Sequence, residues 1–453
     1  MRDWLSILEE PIPAEMRGLL AARWNELPEH LRTPWQVVGR HHVHCGYTMG
    51  PAFCSFGCTH CYLPKNANQV PLPSFEQMKV QIDANRRLLG PGKGLQITGG
   101  DVVDAYFRAG RPEELVAVVR YANDAGVVPM LMTHGQLLLE NPAFLARLVR
   151  EGGLRKLALH IDITMAGRAG YPIAKLRREA DLHPLREAFV DLLLSVRRDT
   201  GIDFFAAHTV TVTEANLGSI GEILHWLRAD RRHLDAFRLI SFQTEADVGR
   251  TRFSARPVTA EAVWGEICAG VGADMARDNL WFGHPECSNM TSLLVLFPEG
   301  RVIDLIPSDP DSRAFWSGIL ERFGGIGARG ESFSDSLLRK AGVIARHPEV
   351  LRSLWRYLML RLEQERLSLP ELLRRVAARE VGGFNVVLHN FMSSAQVRQG
   401  GQEVTERLAA CSFRGAVERD GEWQAVPMCQ MNALERENLY QAEITGSRLP
   451  IVA

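Results

Sequence analysis

With 52 Lys and Arg against 53 Asp and Glu over 453 residues, the chain carries a formal net charge of −1, too even a balance to steer it to nucleic acid or an anionic membrane surface. It is long enough for one large domain with an extension, or for two domains. Asp3, Glu9 and Glu10 break the apolar stretch at its start and argue against a secretory signal. The longest apolar runs, such as residues 292 to 297, fall far short of the roughly 18 that span a bilayer, so a cytoplasmic location is expected.

In chain order, residues 1 to 35 hold apolar positions at helical spacing (Leu5, Leu8, Met16, Leu19, Leu20) and predict an N-terminal helical cap. Strand candidates follow at 36 to 43, 94 to 100, 127 to 135, 154 to 164, 202 to 212 and 236 to 244. Amphipathic stretches at 74 to 89, 112 to 125, 141 to 151, 183 to 199 and 216 to 229 lie between them. The first begins with a capping box, Ser74 with Gln77. Strand and helix alternating at this spacing imply parallel βα units and an α/β fold. Six units are too few to close an eight-fold barrel, so a partial (βα)6 TIM-like barrel is expected over 36 to 245, with active residues at the C-terminal strand ends. Beyond it, two strand-like runs between 284 and 306 flank the turn at Pro298, Glu299 and Gly300, and 310 to 380 reads as helical. Residues 246 to 453 are thus expected to form a mainly helical extension packed on the barrel.

The chemistry concentrates at FCSFGCTHCYL, where Cys54, Cys58 and Cys61 stand three and then two residues apart. Eight cysteines in a chain this long, three of them in eight residues, suggest metal ligation in a reducing compartment and not a disulfide framework. One reading is a structural zinc site completed by His60 or Cys45, in a binding protein without catalysis. The other is an iron–sulfur cluster with one iron left open for chemistry. The loop's place just after the first strand of a βα series favours the second.

Cys-x3-Cys-x2-Cys at that place, followed by Tyr62, resembles the radical S-adenosylmethionine (SAM) superfamily, over roughly residues 36 to 245. The resemblance implies that Cys54, Cys58 and Cys61 bind three irons of a [4Fe–4S] cluster, the fourth being chelated by SAM. It further implies one-electron cleavage of SAM to a 5′-deoxyadenosyl radical that abstracts hydrogen from a substrate carbon, with a ferredoxin or flavodoxin as electron donor. His60 and Tyr62 would then border the cofactor. Gly99, Gly100 and Asp101 stand where the family has Gly-Gly-Glu with backbone groups for the SAM amino group, and Asp101 departs from that pattern. Asp162 would serve the ribose and Arg168 the SAM carboxylate, against the plainer reading of a capping Asp and a surface Arg. His208 and Ser241 are candidates for the cavity wall, with structural roles as the competing reading.

Of the remaining cysteines, Cys268 has the helical spacing of a core residue. Cys45, Cys287, Cys411 and Cys429 lie in polar or turn-rich settings and are expected to ligate an auxiliary cluster, the alternative being four unrelated thiols. In the HHVH tract, His42 and His44 share a strand face that His41 does not. Residues 388 to 432 resemble the cysteine-containing tails of tetraether-lipid-synthase-type radical SAM enzymes, at His389, Phe391, Met392, Cys411, Gly421, Pro427, Cys429 and Asn432. That resemblance implies a long hydrophobic substrate; a peptide maturase or a methyltransferase of the same superfamily is the alternative.

Overall fold

The computed structural model describes residues 22, 24–25, 27–36, 45–90, 92–251, 256–323, 348–419 and 421–446. Most of the predicted helical cap, the HHVH tract and all but Gln36 of the first predicted strand therefore lie outside the described residues. The first described strand is β1, Cys45–Tyr47. It is followed by β2 (Gly94–Ile97), β3 (Val128–Thr133), β4 (Lys156–His160), β5 (Phe205–Val212) and β6 (Phe237–Thr244).

Helices Phe75–Leu89, Pro112–Asp124, Pro142–Arg150, His183–Thr200 and Ile220–Ala229 connect these strands, at the predicted positions. At the first, the Ser74 hydroxyl accepts from the Gln77 N–H (3.2 Å) while the Gln77 side chain accepts from the Ser74 N–H (2.8 Å). Strands β1 to β6 pair in order and in parallel, the partial (βα)6 barrel that the alternation predicts.

The extension is helical over Ala260–Val271, Pro310–Phe323, Pro348–Gln364, Leu369–Ala377 and Arg436–Thr445. It also supplies β7 (Leu280–Trp281), β8 (Ser288–Leu296), β9 (Arg301–Asp304), β10 (Val381–His389), β11 (Phe413–Arg419) and β12 (Glu422–Pro427). Strand β10 joins β6 in parallel and β11 joins β1 in parallel, so the tail covers both edges of the six-stranded arc. Bare edges would present unpaired N–H and C=O groups. Beyond them β8 and β12 add antiparallel partners, and the sheet ends open at β7 and β12. Its curvature brings the two flanks together: the rings of His389 and Phe413, on β10 and β11, meet edge to face at 5.1 Å.

Burial along the strands has the period of two that a barrel requires. Leu95, Leu131, Leu157 and Leu159 point outward and are buried beneath the helices. Their inward neighbours Gln96, Met130, Met132, Lys156 and His160 retain accessible surface. A filled barrel would bury these inner residues as well; this one encloses a lumen.

Candidate active site

The three-cysteine loop leaves β1 and crosses the C-terminal end of the barrel. Cys54, Cys58 and Cys61 all border one cavity, whose wall includes the ends of β2 to β6 and residues of the extension from His389 to Arg436. The backbone of the loop is tied from behind. Asn68 clamps Cys54, accepting from its N–H (3.1 Å) and donating to its carbonyl (3.0 Å). The Gly57 N–H donates to the Ala166 carbonyl (2.9 Å). The Arg250 N–H is shared by the carbonyls of Cys61 (3.2 Å) and Leu63 (2.9 Å). With its peptide groups so engaged, the loop turns its thiols to the cavity. All eight cysteines are free thiols. Burial and the charge of Cys61 push the Cys58 thiol up to about 12, and burial with the charge of Asp101 raises Cys54 as well. Thiolates here need a positive partner, which a metal centre provides.

Six of the predicted cofactor residues border the cavity: His60, Tyr62, Gly99, Gly100, Asp101 and Asp162. The Gly100 and Asp101 N–H groups donate to the carbonyls of Pro51 (2.7 Å) and Phe53 (2.8 Å), which ties the cysteine loop to the end of β2. The glycines are required by that approach: a Cβ at Gly100 would lie 2.1 Å from the Phe53 carbonyl oxygen. Gly100→Ala is therefore expected to displace the loop and cost roughly 1–3 kcal/mol in denaturant unfolding. Wild-type stability in the variant would contradict this.

Asp101 caps helix Val102–Arg108 through the Asp104 N–H (2.9 Å) and accepts from Thr133 Oγ1 (2.7 Å) and the His134 N–H (2.6 Å). Asp162 accepts from the Thr164 N–H (2.9 Å) and hydroxyl (2.6 Å) and from the Thr211 N–H (3.0 Å). His60 pairs with buried Glu245 at 2.9 Å. The Tyr62 hydroxyl donates to the Gly99 carbonyl (2.6 Å).

Three predicted residues stand off the cavity wall. Arg168 is buried, not on the surface: it donates to the carbonyls of His134 (3.1 Å) and His160 (2.8 Å), and burial lowers its pKa to about 10. His208 faces the helix layer, where its Nε2 accepts from Arg186 Nε (3.0 Å). Burial and that guanidinium hold the imidazole neutral. Ser241 is buried on β6, its hydroxyl without a hydrogen-bond partner among the described residues.

The four cysteines expected to share a second centre divide three to one. Burial and then the charge of Cys411 push the Cys287 thiol up to about 11, and burial with the charges of Cys411 and Cys287 pushes Cys429 up to about 12. Arg407 Nε donates to Cys287 Sγ at 3.3 Å. Cys429 also borders the main cavity. Cys45 belongs elsewhere: it lies buried on β1, its thiol pushed up to about 12 by burial, with Lys156 as the charge it senses. Its backbone adjoins the Cys411 segment, the Cys45 N–H donating to the Ser412 carbonyl (3.2 Å), but none of the other three thiols is among the groups that its own thiol senses.

Sequence reasoning missed Asn68, Glu245, Arg250 and His134, the last stacked on Phe56 at 3.7 Å. None stands in a pattern that separates it from an ordinary loop residue.

No family model matches the chain. Over 198 residues, 44% of this chain, it is 25% identical to the 7,8-dihydro-6-hydroxymethylpterin dimethyltransferase of Methanocaldococcus jannaschii. The match covers 35% of that protein, so the chain spans about a third of the length of the curated relative it matches. Among solved structures, native anSMEcpe with bound AdoMet aligns with TM-score 0.31 and 14% identity, over 47% of this chain and 56% of that one. The same protein with AdoMet and Cp18Cys peptide gives 0.35 and 12%, over 51% and 59%. These two overlaps are too loose to bear on function. No helix among the described residues is long and apolar enough to cross a membrane.

Proposed function

We propose that the chain is a radical SAM enzyme, with a [4Fe–4S] cluster held by Cys54, Cys58 and Cys61. The observation that carries this reading is a set of three free thiols on one braced loop that holds no fourth cysteine, facing a cavity at the C-terminal barrel end whose far wall includes Cys429. His60, the imidazole within the loop, is engaged by Glu245. A zinc site built only from these residues would lack its fourth ligand, whereas a cluster iron left open suits a chelating cofactor.

When bound, the cluster and SAM supply one-electron chemistry that ends in hydrogen abstraction from carbon. The chain's own part is placement. His60, Tyr62, Gly99, Gly100, Asp101 and Asp162 would face the cofactor, while Arg168 steadies the backbone of His134 and His160 at the rim. The electron would come from a small ferredoxin- or flavodoxin-like donor. Anaerobically purified protein with SAM and dithionite should yield 5′-deoxyadenosine without added substrate. Zinc without iron, or no cleavage by a protein carrying its full iron and sulfide, would overturn the reading.

A second cluster at Cys287, Cys411 and Cys429 is proposed with it. Arg407 there offsets thiolate charge. Replacing all three by Ala should remove about half of the iron of a two-cluster protein and leave Cys54, Cys58 and Cys61 loaded. Unchanged iron would show three ordinary thiols.

The curated relative is named as a methyltransferase, which favours methyl transfer over attack on a lipid chain as the reaction that follows SAM binding. Met132, Met165, Phe391 and Met392 give the cavity an apolar mouth for either substrate. Methyl groups from SAM labelled at the methyl carbon should appear in product if this second reading holds.

A further inference from the structure

Four uncharged polar residues border the cavity from four different strands: Gln96 on β2, His160 on β4, Gln243 on β6 and His389 on β10. Each stands two residues before another cavity-bordering residue just past its strand, Thr98, Asp162, Glu245 and Phe391 in turn. The four thus make a layer one pleat deeper than the strand ends. All of them keep accessible surface, and that surface opens on the cavity they border.

The hydrogen-bonding capacity of this layer is largely unused. Among the described residues no hydrogen bond reaches the side chains of Gln96, His160 and Gln243. His389 has one partner, Ser288 Oγ at 2.8 Å from its Nδ1, which leaves Nε2 for the cavity. A glutamine amide offers two N–H donors and a carbonyl acceptor, and a neutral imidazole one donor and one acceptor. Both imidazoles are neutral, because burial lowers their pKa values, that of His389 to about 4 with Lys156 as a lesser cause. Enclosed polar groups without partners are costly, and a substrate that brought only hydrocarbon to this layer would leave all four unpaired. The rings of Phe391 and Phe413 lie 5.9 Å and 5.1 Å from that of His389 and border the same cavity. Such surfaces suit a flat partner.

We propose that this layer seats the uncharged head of the substrate, a flat ring bearing amide groups that both donate and accept hydrogen bonds. The proposal rests on reading the cavity as the substrate chamber of a radical SAM enzyme, and it narrows the substrate class within that reading. Gln96, His160, Gln243 and His389 would then set which edge of the ring is turned to the cysteine loop, and so which carbon reacts.

The test is calorimetric titration of the full-length, anaerobically purified protein with uracil and with 1,3-dimethyluracil, each before and after saturation with SAM. Uracil should bind in both states, and dimethyluracil, whose N–H donors are blocked, roughly tenfold or more weakly. Gln96→Leu and Gln243→Leu should each weaken uracil binding about tenfold. Both variants should melt no lower than wild type, since no described residue bonds either amide. Wild-type protein that does not bind uracil, that binds both rings alike, or that releases uracil as SAM binds would overturn the proposal, the last by assigning the layer to the cofactor. Equal uracil affinity in wild type and both variants would overturn it as well. Protein that binds uracil as expected but carries its iron and sulfide without cleaving SAM would refute the cluster reading and leave the seat standing.

Discussion

Cys58→Ala is expected, on the proposed radical SAM reading, to remove the iron of the three-cysteine loop, roughly four atoms, and to abolish 5′-deoxyadenosine formation. The middle thiol is flanked by the other two and buried beside Asp162. Without it the proposed cluster would lose one of its three protein ligands, and the loop holds no other cysteine to substitute. The informative contrast is Cys45→Ala. A zinc site would use Cys45 as its fourth ligand and lose metal, whereas the structure turns that thiol into the lumen near Lys156. Equal metal content in Cys45→Ala and wild type, beside complete loss in Cys58→Ala, is the pattern that the reading requires. Loss in both would reject it.

The largest expected effect on stability lies outside the cavity, at Arg186. Its guanidinium pairs with Glu179, both groups with no exposed surface. It also bonds the His208 imidazole and, at 3.3 Å, the Ile161 carbonyl. Glu179 in turn accepts from the Ile163 N–H (3.2 Å) and Asn216 Nδ2 (2.9 Å), so the pair holds the loop that carries Asp162. Arg186→Met leaves the Glu179 carboxylate buried without its cation, which costs about 3–5 kcal/mol. Urea unfolding should show this as a lower midpoint at unchanged slope. A loss under about 1 kcal/mol would mean that the pair behaves like an exposed one.

Much of the architecture was legible because it is local. The capping box of Ser74 and Gln77, and the alternation of Lys156, Ala158 and His160 with Leu157 and Leu159, are patterns of nearby residues. The cysteine loop was legible for the same reason, since its three ligands fall within eight residues. What joins distant segments was not. That β10 and β11 would flank β6 and β1 depends on pairing across hundreds of residues, for which an apolar run such as FNVVLH carries no address. Gly99 and Gly100 could be placed after β2, but not their service to Pro51 and Phe53. Arg168, His208 and Cys45 show the remaining limit: a residue type and a strand position do not say which way a side chain turns, and each engages partners other than those its position suggested.

The seam between β1 and β11 also sets an order of events. Strand β1 precedes the cysteine loop directly, yet its outer neighbour is made of residues 413 to 419. At about 5–20 residues per second, a nascent chain leaves that edge bare for on the order of tens of seconds after β1 is synthesised. Through that interval the barrel is a trough, its three-cysteine loop reachable from the side and its exposed strand a template for pairing with another chain. A ligand that enters then meets an open wall; one that enters later must pass the mouth.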